Sequence, residues 1–223
     1  MRIQHHGAVN GVTGSCHQLH IDQNNSVLID CGLFQGKEQG KEQSSDTDNL
    51  NQESLLSINF DISTVRALIV THCHIDHVGL IPYLLAAGFL GPIYATTATG
   101  ALLPLVIEDA LKVGVTRNKS IINVCLKLLK NQLKSLDYKK WQEIELNQPA
   151  HPVPSVPPEH TLSACPEPVE GKKLKIKFQP AGHILGSAYV EIDIQSSKSK
   201  KDRHRVVFSE DLGAPYAPLL PAP

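Results

Sequence analysis

Val65-Arg-Ala-Leu-Ile-Val-Thr-His-Cys-His-Ile-Asp-His77 is the stretch on which the reading of the whole chain turns. Its first half, Val65 to Val70, is apolar apart from Arg66 and short, the composition of a buried strand. Its second half sets three imidazoles and one carboxylate, His72, His74, His77 and Asp76, within six residues. Nitrogen and carboxylate donors of this borderline hardness suit zinc. In extended or turning backbone His72 and His74 project to the same side, because side chains alternate. Cys73 then points the other way and reads as packed. Asp76 and His77 fall where the chain enters the next helix, so they can aim at a second position nearby. The carboxyl end of a buried strand is also where layered α/β folds place their sites. The plain alternative is a chance histidine cluster on the surface; the apolar strand directly ahead of it argues against that.

Outward from this stretch the elements alternate. Toward the N-terminus, Arg2 to Gly32 reads as strands with tight turns: His17 to Ile21 alternates, Asp22-Gln-Asn-Asn25 has turn composition, and Ser26 to Asp30 is a buried strand ending in a carboxylate. Residues 37–54 form a polar loop almost free of apolar side chains. Toward the C-terminus, Ile81 to Ala87 is a short helix stopped by Gly88, and Gly91 to Ala95 is the next strand. Gly100 to Val113 and Ser120 to Leu136 carry apolar residues at helical intervals. The lysines between Lys112 and Lys140 read as a solvated helix face rather than a nucleic-acid contact. Residues 148–172 are a proline-rich insert, and Leu174–Phe178, Ala188–Ile194 and Arg205–Phe208 are further strands, with a basic turn from Ser196 to Asp202. The order predicts an α/β or mixed α+β layered fold.

Composition narrows the class. With 41% hydrophobic and 19% charged residues, the 223-residue chain is that of an ordinary soluble globular protein. A net charge of −1 supplies no global basic field toward nucleic acid, although a channel can be basic on a neutral protein. Five cysteines without CxxC spacing read as reduced thiols of a cytoplasmic protein, and no apolar run approaches the length of a membrane span.

Two distant stretches add donors of the same kind. Ala181-Gly-His183-Ile-Leu-Gly-Ser187 sets a histidine among glycines, and Phe208-Ser-Glu-Asp211-Leu-Gly213 sets a carboxylate before a turn. Taken singly, His183 could be a core histidine, Asp211 a turn residue and Asp30 a strand-end carboxylate. Together with HxHxDH, they resemble the metallo-β-lactamase superfamily in motif and in order, which implies an α+β fold of αββα-type layers, here the N-terminal portion of a sheet sandwich flanked by helices. Gly11-Val-Thr-Gly-Ser-Cys-His17, Asp30-Cys-Gly-Leu-Phe-Gln-Gly36 and Asp76-His-Val-Gly-Leu-Ile-Pro-Tyr-Leu84 are similar to the β-CASP group, the RNA- and DNA-processing nucleases.

The resemblance implies two zinc ions: His72, His74 and His183 around one, Asp76 and His77 at the other, and Asp211 bridging them. Asp30 would support the ligands from behind, and Asp76 would orient a metal-bridging hydroxide that attacks the substrate. It implies a zinc-dependent phosphodiesterase acting on RNA, with single-stranded DNA as a second substrate class. The rival readings are an inactive remnant, or a hydrolase of small esters, thioesters or lactones. The sequence departs from the family at Glu210, where glycine usually precedes the aspartate. A second departure is that the β-CASP insertion and the returning terminal histidine do not follow, so residues 1–223 are expected to form one incomplete domain.

Overall fold

The computed structural model describes residues 1–9, 11–34, 57–146, 173–195, 203–216 and 219–223. The predicted polar loop at 37–54, the proline-rich insert at 148–172 and the basic turn at 196–202 lie outside the described residues.

Strands β1 (Arg2–His5), β2 (His17–His20), β3 (Ser26–Ile29), β4 (Val65–Ile69), β5 (Ile93–Thr96) and β6 (Leu133–Leu136) form a sheet in that order. The first three pair antiparallel and the last three add in parallel. The β2–β3 turn closes where sequence placed it: Asp22 Oδ1 accepts from the Asn24 amide at 2.8 Å, and the Ile21 amide donates to Asn25 O at 2.9 Å. A second sheet is antiparallel, ordered β10 (Arg203–Phe208), β9 (Ala188–Gln195), β8 (Lys173–Pro180), β7 (Gln142–Ile144).

Among the described residues, four helices connect the parallel strands: α1 (Ile75–Val78), α2 (Ile81–Ala86), α3 (Thr97–Gly114) and α4 (Lys119–Gln132). Thr96 caps α3, its hydroxyl accepting from the Thr99 amide, and Asn118 caps α4 by accepting from the Ser120 amide.

Strand alternation sends the first sheet's apolar residues both ways. Leu19, Val27, Ile29, Ala67 and Ile69 face the second sheet and pack with Leu174, Ile176, Phe178, Val190 and Ile192. Leu28, Leu68, Val70 and Ile93 face the helices and pack with Leu84, Leu103, Ile107 and Leu129. A sheet covered on both faces needs strands apolar throughout, and β3 is buried at every position. The second sheet's outer face carries Lys173 and Lys175, both paired with Glu143, and Arg205, paired with Glu191. Helix, sheet and sheet are therefore the layers among the described residues; the fourth layer of the expected αββα order is not among them.

One element departs from the expected helix. Leu133 to Leu136 continues the helical spacing of Leu129, yet it is strand β6, paired with β5. The open edge of β5 offers these four residues a full backbone ladder, and that outweighs local periodicity. Strand β7 was not anticipated at all. No helix among the described residues is long and apolar enough to cross a membrane.

Candidate metal centre

The site is assembled from segments that leave neighbouring strands. Residues 71–77 emerge from β4 and Asp30 follows β3, side by side at the carboxyl ends of parallel strands. Residues 181–187 join β8 to β9, and Asp211 follows β10, so the second sheet supplies the rest.

His72, His74, His183 and Asp211 converge, with one potential ligand atom from each lying within 4.8 Å of the others. His74 Nδ1 lies 3.1 Å from His72 Nε2 and 3.2 Å from His183 Nε2. Ligand nitrogens on a tetrahedral zinc stand about 3.3 Å apart, given bonds of about 2.0–2.1 Å. A single Nδ1 cannot be well satisfied by two ring nitrogens, whereas a cation among the three satisfies all of them. Asp211 Oδ2 sits 3.3 Å from His183 Nε2, 3.7 Å from His72 Nε2 and 3.8 Å from His77 Nε2. Asp211 thus spans the group as a bridging carboxylate would.

His77 lies outside that first group but faces the same carboxylate. Its Nδ1 bonds Asp30 Oδ2 at 2.7 Å, and its Nε2 is buried without a hydrogen-bond partner among the described residues. Asp76 Oδ2 stands 4.0 Å from that nitrogen. A buried polar atom left unpaired is costly, and here it is turned toward two carboxylates, as a metal ligand would be. The donor set and this orphaned nitrogen fit a metal pair.

Asp30 organises these rings from behind. It is fully buried at φ 57°, a left-handed conformation that costs a non-glycine residue about 1–2 kcal/mol. The Thr71 amide donates to its Oδ1 at 2.8 Å, and the Thr71 hydroxyl donates to its Oδ2 at 2.6 Å. The Thr71 oxygen, 3.1 Å from His72 Nδ1, is then free to accept that ring's N–H, which leaves the His72 Nε2 lone pair facing the site. Gly32 is obligatory nearby: a Cβ there would stand 1.6 Å from Asp76 O. Cys73 is buried, with Sγ 3.3 Å from Thr99 O, packed as its place in the extended segment implied. Burial, with Asp30 next, pushes its thiol up to about 12.

The two buried imidazoles titrate in opposite directions. Burial, then the neighbouring His77, His74 and His183, pull His72 down to about 2, so it stays neutral. Burial also pulls on His77, but the hydrogen bond and charge of Asp30, with Asp76 and Asp211, outweigh it and raise it to about 8.

Glu210, a departure from the family pattern in sequence, lies beside the site in the fold. Its backbone is left-handed, φ 45°, and its carboxylate forms a second group with Asp30 and His77. Burial, then Asp30, pushes its carboxyl up to about 7. Ser15 and His17, which contact it, were legible only as parts of the Gly11–His17 motif.

Residues 12–169 match the model of the metallo-β-lactamase superfamily, well over half of the chain. The chain belongs to that superfamily. The match covers Asp30 and His72 to His77, while His183 and Asp211 lie beyond it. The superfamily is metal-dependent. Ribonuclease TTHA0252 of Thermus thermophilus is 33% identical over 100% of this chain and 40% of its own length. Transcription termination factor FttA of Methanosarcina mazei is 29% identical over 95% of this chain and 27% of its own. The resemblance to the β-CASP group read from the motifs stands, and the chain spans less than half of either relative. Among solved structures, a protein of unknown function from Enterococcus faecalis is similar in fold, with a TM-score of 0.55 at 14% identity over 94% of this chain and 43% of that one.

Proposed function

We propose that the chain forms the metal centre of a zinc-dependent phosphodiesterase that cleaves RNA. The observation that carries the metal half is the convergence of His72, His74, His183 and Asp211 beside the unpartnered Nε2 of His77. The similarity to a ribonuclease along the whole chain supports the phosphodiester half.

His72, His74 and His183 would hold one ion, Asp76 and His77 the other, with Asp211 between them. Zinc, when bound, lowers the pKa of water toward neutrality and neutralises charge on phosphoryl oxygens. The chain's own residues do the positioning. Thr71 and Asp30 fix the ring tautomers of His72 and His77, and Asp76 offers a carboxylate oxygen to orient the attacking group. Burial falls from His72 to Asp211: the side chains are 1% and 42% exposed, so a substrate approaches from the Asp211 and His183 side.

The test combines metal analysis with cleavage assays on the purified chain and on a longer protein containing it. Labelled single-stranded RNA, single-stranded DNA, a nitrophenyl ester, a thioester and a lactone are offered with and without chelator. Chelator-sensitive cleavage of RNA is expected. Hydrolysis of the small esters with RNA untouched would reassign the substrate, and no metal uptake by either protein would make the chain a remnant.

A further inference from the structure

Resting on the metal-centre reading above, we propose that Glu210 is a positioning residue: its carboxylate, clamped by Ser15, holds the left-handed turn that delivers Asp211 to the histidines. The Ser15 hydroxyl donates to Glu210 Oε2 at 2.8 Å, across 195 residues of sequence. His17 Nε2 stands 3.6 Å from the other oxygen, Oε1. The Glu210 side chain is 9% exposed, so this is an inward-turned carboxylate and not a surface residue that strayed.

Ser15 is a hub for the whole site. Its amide donates to Asp76 O at 2.7 Å, and its carbonyl accepts from the Gly32 amide at 2.8 Å. Through its hydroxyl the same residue reaches Glu210. The segments carrying Asp30, Asp76 and Asp211 are thus tied to one serine. On the far side of Asp211, the Gly213 amide donates to Ala181 O at 2.8 Å, next to His183. Gly213 packs so closely there that a Cβ would stand 1.8 Å from Gly182 O. Asp211 is therefore held from both flanks, by Glu210 to Ser15 and by Gly213 to the 181–183 turn.

This explains how a glutamate can occupy a left-handed position at φ 45°. Residues persist in such conformations when surrounding contacts over-determine them. A glycine would adopt the turn without strain but would carry no arm to Ser15. The clamp belongs to the side chain.

The experiment has two readouts on the full chain. In metal-free protein, hydrogen exchange is followed at the Gly213 amide, with the amides of β9 as an internal control. Ser15→Ala and Glu210→Ala are each expected to speed exchange at Gly213 by about tenfold, a local opening that leaves β9 unchanged. The double variant should be no faster than the faster single, because both remove one interaction. Glu210→Gln keeps an oxygen that can accept from Ser15 and should stay within about threefold of the parent. In the second readout, cobalt(II) is titrated and its visible absorption recorded. Ser15→Ala and Glu210→Ala are each expected to weaken uptake about 10–100-fold, as loss of an outer partner of a metal ligand does, and Glu210→Gln, with Ser15 in place, to stay close to the parent.

Unchanged exchange in Ser15→Ala overturns the proposal. So does Glu210→Gly exchanging no faster than the parent, which would mean that relief of strain outweighs the clamp. If exchange behaves as expected but the parent chain takes up no cobalt, the clamp stands and the metal-centre reading falls. If cobalt binds and exchange is unmoved, the reverse holds.

Discussion

His72 and His77 have ring centroids 4.0 Å apart and are both buried, yet one is held neutral and the other protonated near neutrality. The difference lies in the second ring nitrogen: His72 leans on a hydroxyl, His77 on the carboxylate of Asp30. Metal uptake at neutral pH should therefore expel a proton from His77 and none from His72. Apparent zinc affinity is expected to rise about tenfold per pH unit up to about pH 8 and then level off. Calorimetric titration in buffers of different ionisation enthalpy counts the proton, and buffer-independent heats would contradict this assignment. Glu210 gives a second pH signature. Its folded pKa is raised to about 7 from the ordinary glutamate value of 4.5, so the folded chain binds more protons than the unfolded chain between those values. Metal-free protein should lose stability relative to Glu210→Gln as pH rises through that window, by on the order of 2 kcal/mol, and run parallel above it. Urea unfolding at about pH 5 and about pH 8 measures the difference. At this scale the sequence spoke clearly where chemistry is local. His72, His74, Asp76 and His77 stand within one heptapeptide, whereas nothing local announces that Ser15 reaches Glu210.

At the scale of elements, legibility followed how far a segment's neighbours are fixed by its own pattern. β3 and β4 were readable because a doubly covered strand must be apolar throughout. β6 was not, because leucines three or four apart satisfy a helix whether or not a strand edge is waiting, and only β5 supplies that edge. β7, three residues long with one buried side chain, carries too little alternation to be seen. Glycines mark where elements touch. Gly32 lies where the turn after β3 meets α1, and a methyl group there would meet the Asp76 carbonyl, which also accepts from Ser15. Backbone cannot give way as a side-chain end can. Gly32→Ala is expected to destabilise the chain by about 3 kcal/mol or more. Gly11→Ala, with nothing near its added carbon, should stay within about 0.5 kcal/mol. Equal unfolding midpoints for the two variants would show that the β3 turn and α1 are not wedged together as described.

Across the whole molecule, the candidate ligands come from both sheets: His72, His74 and His77 leave the first, while His183 and Asp211 leave the second. The two sheets also share an apolar interior in which Phe178 is fully buried. A bound metal and the core would thus be parallel fastenings across one interface, and they should separate cleanly by mutation. Phe178→Ala opens a cavity in the sandwich and should cost about 3–5 kcal/mol with or without metal. His183→Ala removes a ring that is 28% exposed, so in chelator it should change stability by less than about 1 kcal/mol. Its effect should appear only when zinc is added. A ligand at a hundredfold its Kd stabilises the folded state by about 2.7 kcal/mol, which for a chain of this size raises Tm by about 5–10 °C. The parent and Phe178→Ala should both show that increment on zinc addition, and His183→Ala should lose most of it. Were His183→Ala to gain as much from zinc as the parent, the ion would be binding somewhere that does not join the sheets, and the assignment of His183 would fail while the sandwich itself remained.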